Sequence, residues 1–262
     1  MNKFLNYTTM LIASCIALGT GEAQATDVER YVAASSPSSY MHHRIFDARL
    51  YPLQDTTTIN QADRVVLHIE SSDVRTLQLM QKPFYDMDLA GEETSLDKLE
   101  KLLMPFVSQI TALNLMETYL KEDCFSVIER LVALESLILS DNAFGDKVMP
   151  SIGRLSELRH LEIAHTKITD VGVQGLISLR QLEKLDAGCN LLKNSGIKTI
   201  SGITSLSDLD VRGCEFDEGA LPFFLQMPKL KKLNISDNKF KKDVSFETFL
   251  AKAKEKGIEV KF

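Results

Sequence analysis

Residues 158–180 read LRHLEIAHTKITDVGVQGLISLR, and their pattern decides the architecture of the whole chain. Leu158, Leu161, Ile163 and Ile168 set apolar side chains along a short strand that turns a corner, with Thr166 between the last two. Thr169 and Asp170 then open a segment in which Val173, Leu176 and Leu179 fall three residues apart, one apolar stripe on a single short helix. Neither piece is long enough to bury its apolar side alone. The stretch therefore requires a copy of itself on each flank.

Those copies recur at a fixed step of 24 residues. The first column of the repeat is Ile110, Leu134, Leu158, Leu182, Leu206 and Leu230, and the fourth is Leu113, Leu137, Leu161, Leu185, Leu209 and Leu233. The sixth is Leu115, Leu139, Ile163, Ala187, Val211 and Ile235; the eleventh is Leu120, Phe144, Ile168, Leu192, Phe216 and Phe240. The ninth differs in kind: Thr118, Asn142, Thr166, Asn190, Cys214, Asn238. A buried Asn or Thr there can bond backbone groups that a tight corner would otherwise orphan. The text L-x-x-L-x-L-x-x-N/C-x-L resembles the leucine-rich repeat family, in its bacterial and ribonuclease-inhibitor-like branches. The resemblance implies an α/β solenoid: a horseshoe with a parallel concave β-sheet, short convex helices and, in most members, a protein-binding role.

Outward from the array the pattern weakens. Arg64–Glu70 (RVVLHIE) fits with Leu67 and Ile69 at the fourth and sixth positions, and Phe84, Met87 and Leu89 restart the pattern twenty residues later, so residues 64–109 read as degenerate N-terminal repeats. Within them Ser95–Ile110 predicts a helix, its stripe of Leu96, Leu99, Leu102, Leu103 and Phe106 interrupted by Pro105. Asp146, Thr169, Asn194 and Asp217 are expected to cap the helix starts of the regular coils. Six repeats occupy residues 110–253, and residues 254–262 end in GIEVKF, a capping edge strand with Ile258, Val260 and Phe262 in alternation.

The N-terminal 25 residues have the order of an export signal: Lys3, an apolar run from Met10 to Leu18, and Ala23-Gln24-Ala25 at the cleavage positions. Ile12-Ala13-Ser14-Cys15 leaves a lipoprotein anchored at Cys15 as the alternative, so the expected location is secreted or periplasmic, with no stable membrane span in the mature chain. Residues 26–63, with runs of Ser and Thr and no sustained period, read as a loosely ordered leader. The net charge of −6 is unchanged by loss of Lys3 and Glu22 with the signal, and no basic run exceeds KLKK or KFKK, which argues against nucleic acid. Of the four cysteines, Cys124, Cys189 and Cys214 remain after cleavage behind Ala25, an odd count at no special spacing and not a disulfide framework. Cys124 and Cys214 fall in core columns, and Cys189 falls near the surface.

Strand positions that avoid the core form the sheet face. Its third column is Ala112, Ser136, His160, Lys184, Asp208, Lys232; its fifth is Asn114, Ile138, Glu162, Asp186, Asp210, Asn234; its seventh is Met116, Ser140, Ala164, Gly188, Arg212, Ser236. Parallel strands stand about 4.8 Å apart, so Glu162, Asp186 and Asp210 should form a row of carboxylates. That row is either neutralised by Lys184, Arg212 and Lys232 or left to receive a protein partner with a basic surface. The candidate binding residues are His160, Glu162, Lys184, Asp186, Asp208, Asp210 and Arg212, with Met116 and Ile138 as apolar contacts.

The competing chemistry is a thiol-dependent enzyme. Asp141, His165 and Cys189 share the eighth column in consecutive coils, in the order of a carboxylate orienting an imidazole that activates a thiol. Their column is corner sequence, and nothing nearby supplies an oxyanion hole. No metal or cofactor motif is present. The sequence thus points to an exported, non-catalytic and monomeric binding module directed at host or envelope proteins, with a structural envelope component as a further alternative.

Overall fold

The computed structural model describes residues 64–68, 84–91, 94–241 and 243–262. Nine strands form one sheet in chain order: β1 (Arg64–His68), β2 (Phe84–Asp88), β3 (Ile110–Asn114), β4 (Ser136–Ile138), β5 (His160–Glu162), β6 (Lys184–Asp186), β7 (Asp208–Asp210), β8 (Lys232–Asn234) and β9 (Glu259–Lys261). Every neighbouring pair is parallel. From β3 to β8 the register equals the sequence period, with Leu113, Leu137, Leu161, Leu185, Leu209 and Leu233 opposite one another in turn. These six leucines are at most 2% exposed. With side chains alternating across a strand, the central leucine enters the core and its two neighbours face the other way.

The ends of the array depart from the step. β1 and β2 pair Leu67 with Met87, a spacing of twenty, and the β2–β3 pairing shifts register after Tyr85. β9 pairs Lys232 with Glu259 and Asn234 with Lys261, so the chain spends three extra residues before rejoining the sheet. The extra length holds helix α6 (Val244–Glu255), capped by Asp243 through Ser245 N and Phe246 N. Phe246 and Phe249 close the core there, with the Phe246 ring tilted against Phe240 and edge-to-face with Phe262.

Between strands the chain returns through short helices. Helix α1 (Leu96–Leu103) is capped by Ser95 and continues as a 3-10 turn at Met104–Phe106, where Pro105 sits at the start and needs no amide partner. The next returns are α2 (Phe125–Ile128), α3 (Met149–Ile152), a 3-10 segment (Gly172–Ser178), α4 (Asn194–Ile200) and α5 (Leu221–Phe224). The helix expected after Thr169 is thus a tighter 3-10 segment. Close approach of the neighbouring coil accompanies it: a Cβ on Gly175 would stand 2.7 Å from the Met149 carbonyl oxygen.

Two sets of polar residues bond across neighbouring coils: helix-start residues in a role that the sequence pattern did not distinguish, and the ninth column in the role that it implied. Of the expected helix caps, Asp217 receives Gly219 N at 2.9 Å. Asp146 and Asn194 instead reach the following coil: Asp146 accepts from Thr169 N at 2.8 Å and from the Thr169 hydroxyl, and Asn194 accepts from Asp217 N at 3.0 Å. Both residues are the first of their helical segments, one position past the caps Gly145 and Lys193, and their side chains meet amides 23 residues on rather than those of their own first turn. At the inner corner Asn142 and Asn190 are 0% and 3% exposed. Asn190 donates to the Ile163 and Ala187 carbonyls at 2.7 and 3.1 Å and accepts from Thr166 N and Ile168 N. Asn142 repeats this between the preceding two coils, and Asn238 donates to the Val211 and Ile235 carbonyls.

Candidate binding face

The sheet brings the third, fifth and seventh columns onto one face. In the fifth, Ile138 stands opposite Glu162, Glu162 opposite Asp186, Asp186 opposite Asp210 and Asp210 opposite Asn234. The carboxylate row therefore exists as a contiguous feature. Its N-terminal side is closed: Ile138 is buried, and His160, which contacts Glu162 through Nε2 at 3.1 Å, is buried beside it. Met116 is half-buried, and its amide donates to Asn114 Oδ1 at 3.0 Å.

The carboxylates are partly committed to the fold. Asp186 Oδ1 accepts from Gly188 N at 2.9 Å, Asp210 Oδ1 from Arg212 N at 3.0 Å and Asn234 Oδ1 from Ser236 N at 3.2 Å. Each is a side chain bonding the backbone two residues on, which terminates the strand and starts the turn. The second oxygens face Arg212, whose Nη1 lies 3.3 Å from Asp186 Oδ2 and hydrogen-bonds Asp210 Oδ2. Asn234 donates to the same Asp210 oxygen at 2.7 Å. Burial pushes the Asp186 carboxyl above the usual carboxylate range; Gly188 N–H and Arg212 oppose this, while Asp210 and Glu162 add to it. Burial works against the Arg212 charge, but the two aspartates outweigh it and raise its pKa. One guanidinium thus serves two carboxylates, and the row keeps an excess of negative charge.

The third column differs. Lys184, Asp208, Lys232 and Glu259 stand side by side across β6–β9, alternating in sign. Asp208 is half-buried and Lys232 exposed, and among the described residues neither side chain makes a hydrogen bond. Glu259 and Lys261 extend the face beyond the sixth repeat. The 24-residue step could not find them, because β9 rejoins the sheet at an offset of 27 from Lys232 to Glu259. Asn234 was equally hidden: its place in the column was legible, its bond to Asp210 was not.

Asp141, His165 and Cys189 are placed by backbone geometry. Glu117, Asp141, His165, Cys189, Gly213 and Asp237, the whole eighth column, have φ between 54° and 62°. The column is the left-handed residue of each corner, a conformation that Asn, Asp and Gly tolerate best. Among the described residues no hydrogen bond joins Asp141 to His165 or His165 to Cys189. Burial pushes the Cys189 thiol up, against the single lowering influence of Arg212. A nucleophilic thiol requires the opposite shift. Cys124 and Cys214 are buried, the latter with its thiol pushed up to about 11, chiefly by burial.

A family model described as Leucine Rich repeat matches residues 156–176, overlapping the stretch LRHLEIAHTKITDVGVQGLISLR at 158–180. An internalin from Listeria monocytogenes has a similar structure, with a TM-score of 0.50 and 16% identity over 68% of this chain and 45% of that one. The leucine-rich repeat ectodomain of the Arabidopsis receptor kinase HAESA, solved with an N-terminally extended IDA peptide hormone ligand, gives a TM-score of 0.42 at 19% identity, covering 60% of this chain and 25% of that one. Adenylate cyclase of Schizosaccharomyces pombe is 22% identical over 203 residues, 74% of this chain and 12% of that protein. The chain thus spans less than half the length of each of these proteins. With six coils in register and the family match inside them, the described array has the leucine-rich repeat fold.

Proposed function

We infer that the chain is an exported protein-binding module that docks a partner across β6–β8 on the sheet face. The observation behind this reading is the pair of parallel side-chain rows there: Lys184, Asp208 and Lys232 in one, Asp186, Asp210 and Asn234 in the other, held in register by the backbone. Rigid strands fix the spacing of these groups, so a partner meets a preorganised pattern and loses little entropy ordering it. With Arg212 shared between two aspartates, the partner groups opposite the fifth row are basic, while those opposite Lys184, Asp208 and Lys232 alternate acid, base, acid and meet their own sign once that row is inverted. Export rests on Lys3, the apolar run Met10–Leu18 and Ala23-Gln24-Ala25.

The test inverts the third row, because Asp186 and Asp210 also hold backbone amides. The variant K184E/D208K/K232E should fold, and it should lose capture of any partner that the wild-type protein binds in a pull-down and cross-links through this face. Equal capture by both proteins would place the docking site elsewhere.

A further inference from the structure

We propose that the C-terminal edge strand β9 is a self-association site, through which a second copy of this chain pairs antiparallel about a two-fold axis at Val260. The sheet order ends at β9 among the described residues. Glu259 N donates to the Lys231 carbonyl at 2.7 Å and Ile235 N to the Lys261 carbonyl at 2.8 Å, so residues 259 and 261 spend their backbone groups on β8. Successive residues of a strand point these groups to opposite sides. The N–H and C=O of Val260 are therefore directed at the open edge, where the side chain is half-buried and its neighbours are exposed.

An open edge carrying charge of one sign repels every copy of itself. This edge carries Glu259 and Lys261 symmetrically about Val260. In antiparallel pairing centred on that residue, Val260 exchanges two backbone hydrogen bonds with its counterpart, and each Glu259 faces the Lys261 of the other copy. Centring the pair on Glu259 or on Lys261 instead puts like charges opposite each other. The charge pattern thus permits one register and makes it isologous, the requirement for a closed dimer rather than a growing fibre. Contact over three residues makes the association weak and concentration-dependent.

Sedimentation velocity of the purified protein from about 10 μM to 1 mM should show a monomer–dimer equilibrium that weakens with added salt. Either single variant, E259K or K261E, should be monomeric over that range, and the exchanged variant E259K/K261E should recover the dimer because the facing pairs are again opposite in sign. An equimolar mixture of the two single variants should also associate. V260P, which removes the central donor without altering charge, should abolish association; far-ultraviolet circular dichroism of each variant reports that it is folded. A wild-type protein monomeric at 1 mM, or a dimer that survives E259K or V260P in folded protein, overturns the proposal.

Discussion

The inner corner and the sheet face use the same kind of residue at the same period to opposite ends. At the corner, Asn142 and Asn190 are almost completely buried, and each amide bonds backbone groups of two successive coils. On the face, Asp186 and Asp210 keep 17% and 21% of their side chains exposed. Each gives one oxygen to its own coil and turns the other outward toward Arg212. A periodic polar residue is therefore structural to the extent that both ends of its side chain are consumed inside the stack. The corner asparagines are consumed by buried backbone groups at both ends, whereas the face aspartates give one oxygen to backbone and the other to part-exposed side chains of the face.

The largest test of that contrast is Asn190→Ala. It strands the Thr166 and Ile168 amides and weakens the pairing of two carbonyls inside the core. Each buried group left without a partner costs about 1–3 kcal/mol, so the loss should reach about 3 kcal/mol or more in urea unfolding. Thr166 bonds mainly within its own coil, donating to the Ile163 carbonyl at 2.7 Å. Thr166→Ala should cost only about 1 kcal/mol. Equal losses would mean that the asparagine does not stitch the coils together.

Next in size is Arg212→Met, which leaves Asp186 and Asp210 facing each other with only Asn234 as a side-chain donor. A loss of about 1–2 kcal/mol at pH 7 is expected, since a partly buried charge keeps its burial cost after its partner is gone. The deficit should shrink in acid. Removing the guanidinium raises the Asp186 pKa further in the folded state, and a group with a raised folded pKa adds stability below its unfolded pKa and loses it as pH rises through the folded one. A deficit independent of pH would show that Arg212 acts through packing alone.

The parts of this contrast that were legible in the sequence are those that depend on register. The leucine columns and the ninth-column asparagines recur at the step that the backbone pairing reproduces, so spacing alone placed them together. The apparent triad of Asp141, His165 and Cys189 shows the converse: adjacency in a column is real, yet the column exists to supply a left-handed corner. Three features depend on where a strand stops rather than on the period: the bonds from Asp186 and Asp210 two residues on, the second coil reached by Asp146, and the register in which the expected final strand, β9, rejoins the sheet. Those were not readable.

Asp186→Asn should move stability in the other direction. The amide oxygen can still accept from Gly188 N, while the charge that burial disfavours is removed. The wild type is penalised above its raised pKa and relieved below it, so the variant should be slightly more stable at neutral pH, with the advantage vanishing as the pH falls toward the ordinary carboxylate range. A destabilised variant at pH 7 would mean that Arg212 overcompensates and that the outward oxygen is structural after all.

The smallest effect should belong to the third row. Inverting Lys184, Asp208 and Lys232 together keeps alternate signs between β6, β7 and β8 and creates one new like-charged pair, residue 232 against Glu259. Such pairs on an exposed sheet are worth a few tenths of a kcal/mol, so the unfolding midpoint should stay within about 0.5 kcal/mol of wild type. A row whose inversion leaves the fold intact is not held in place by a structural requirement, as the buried asparagines are. If the same inversion cost as much as Arg212→Met, the third row would join the corner as part of the scaffold, and the face would lose the set of side chains on which docking depends.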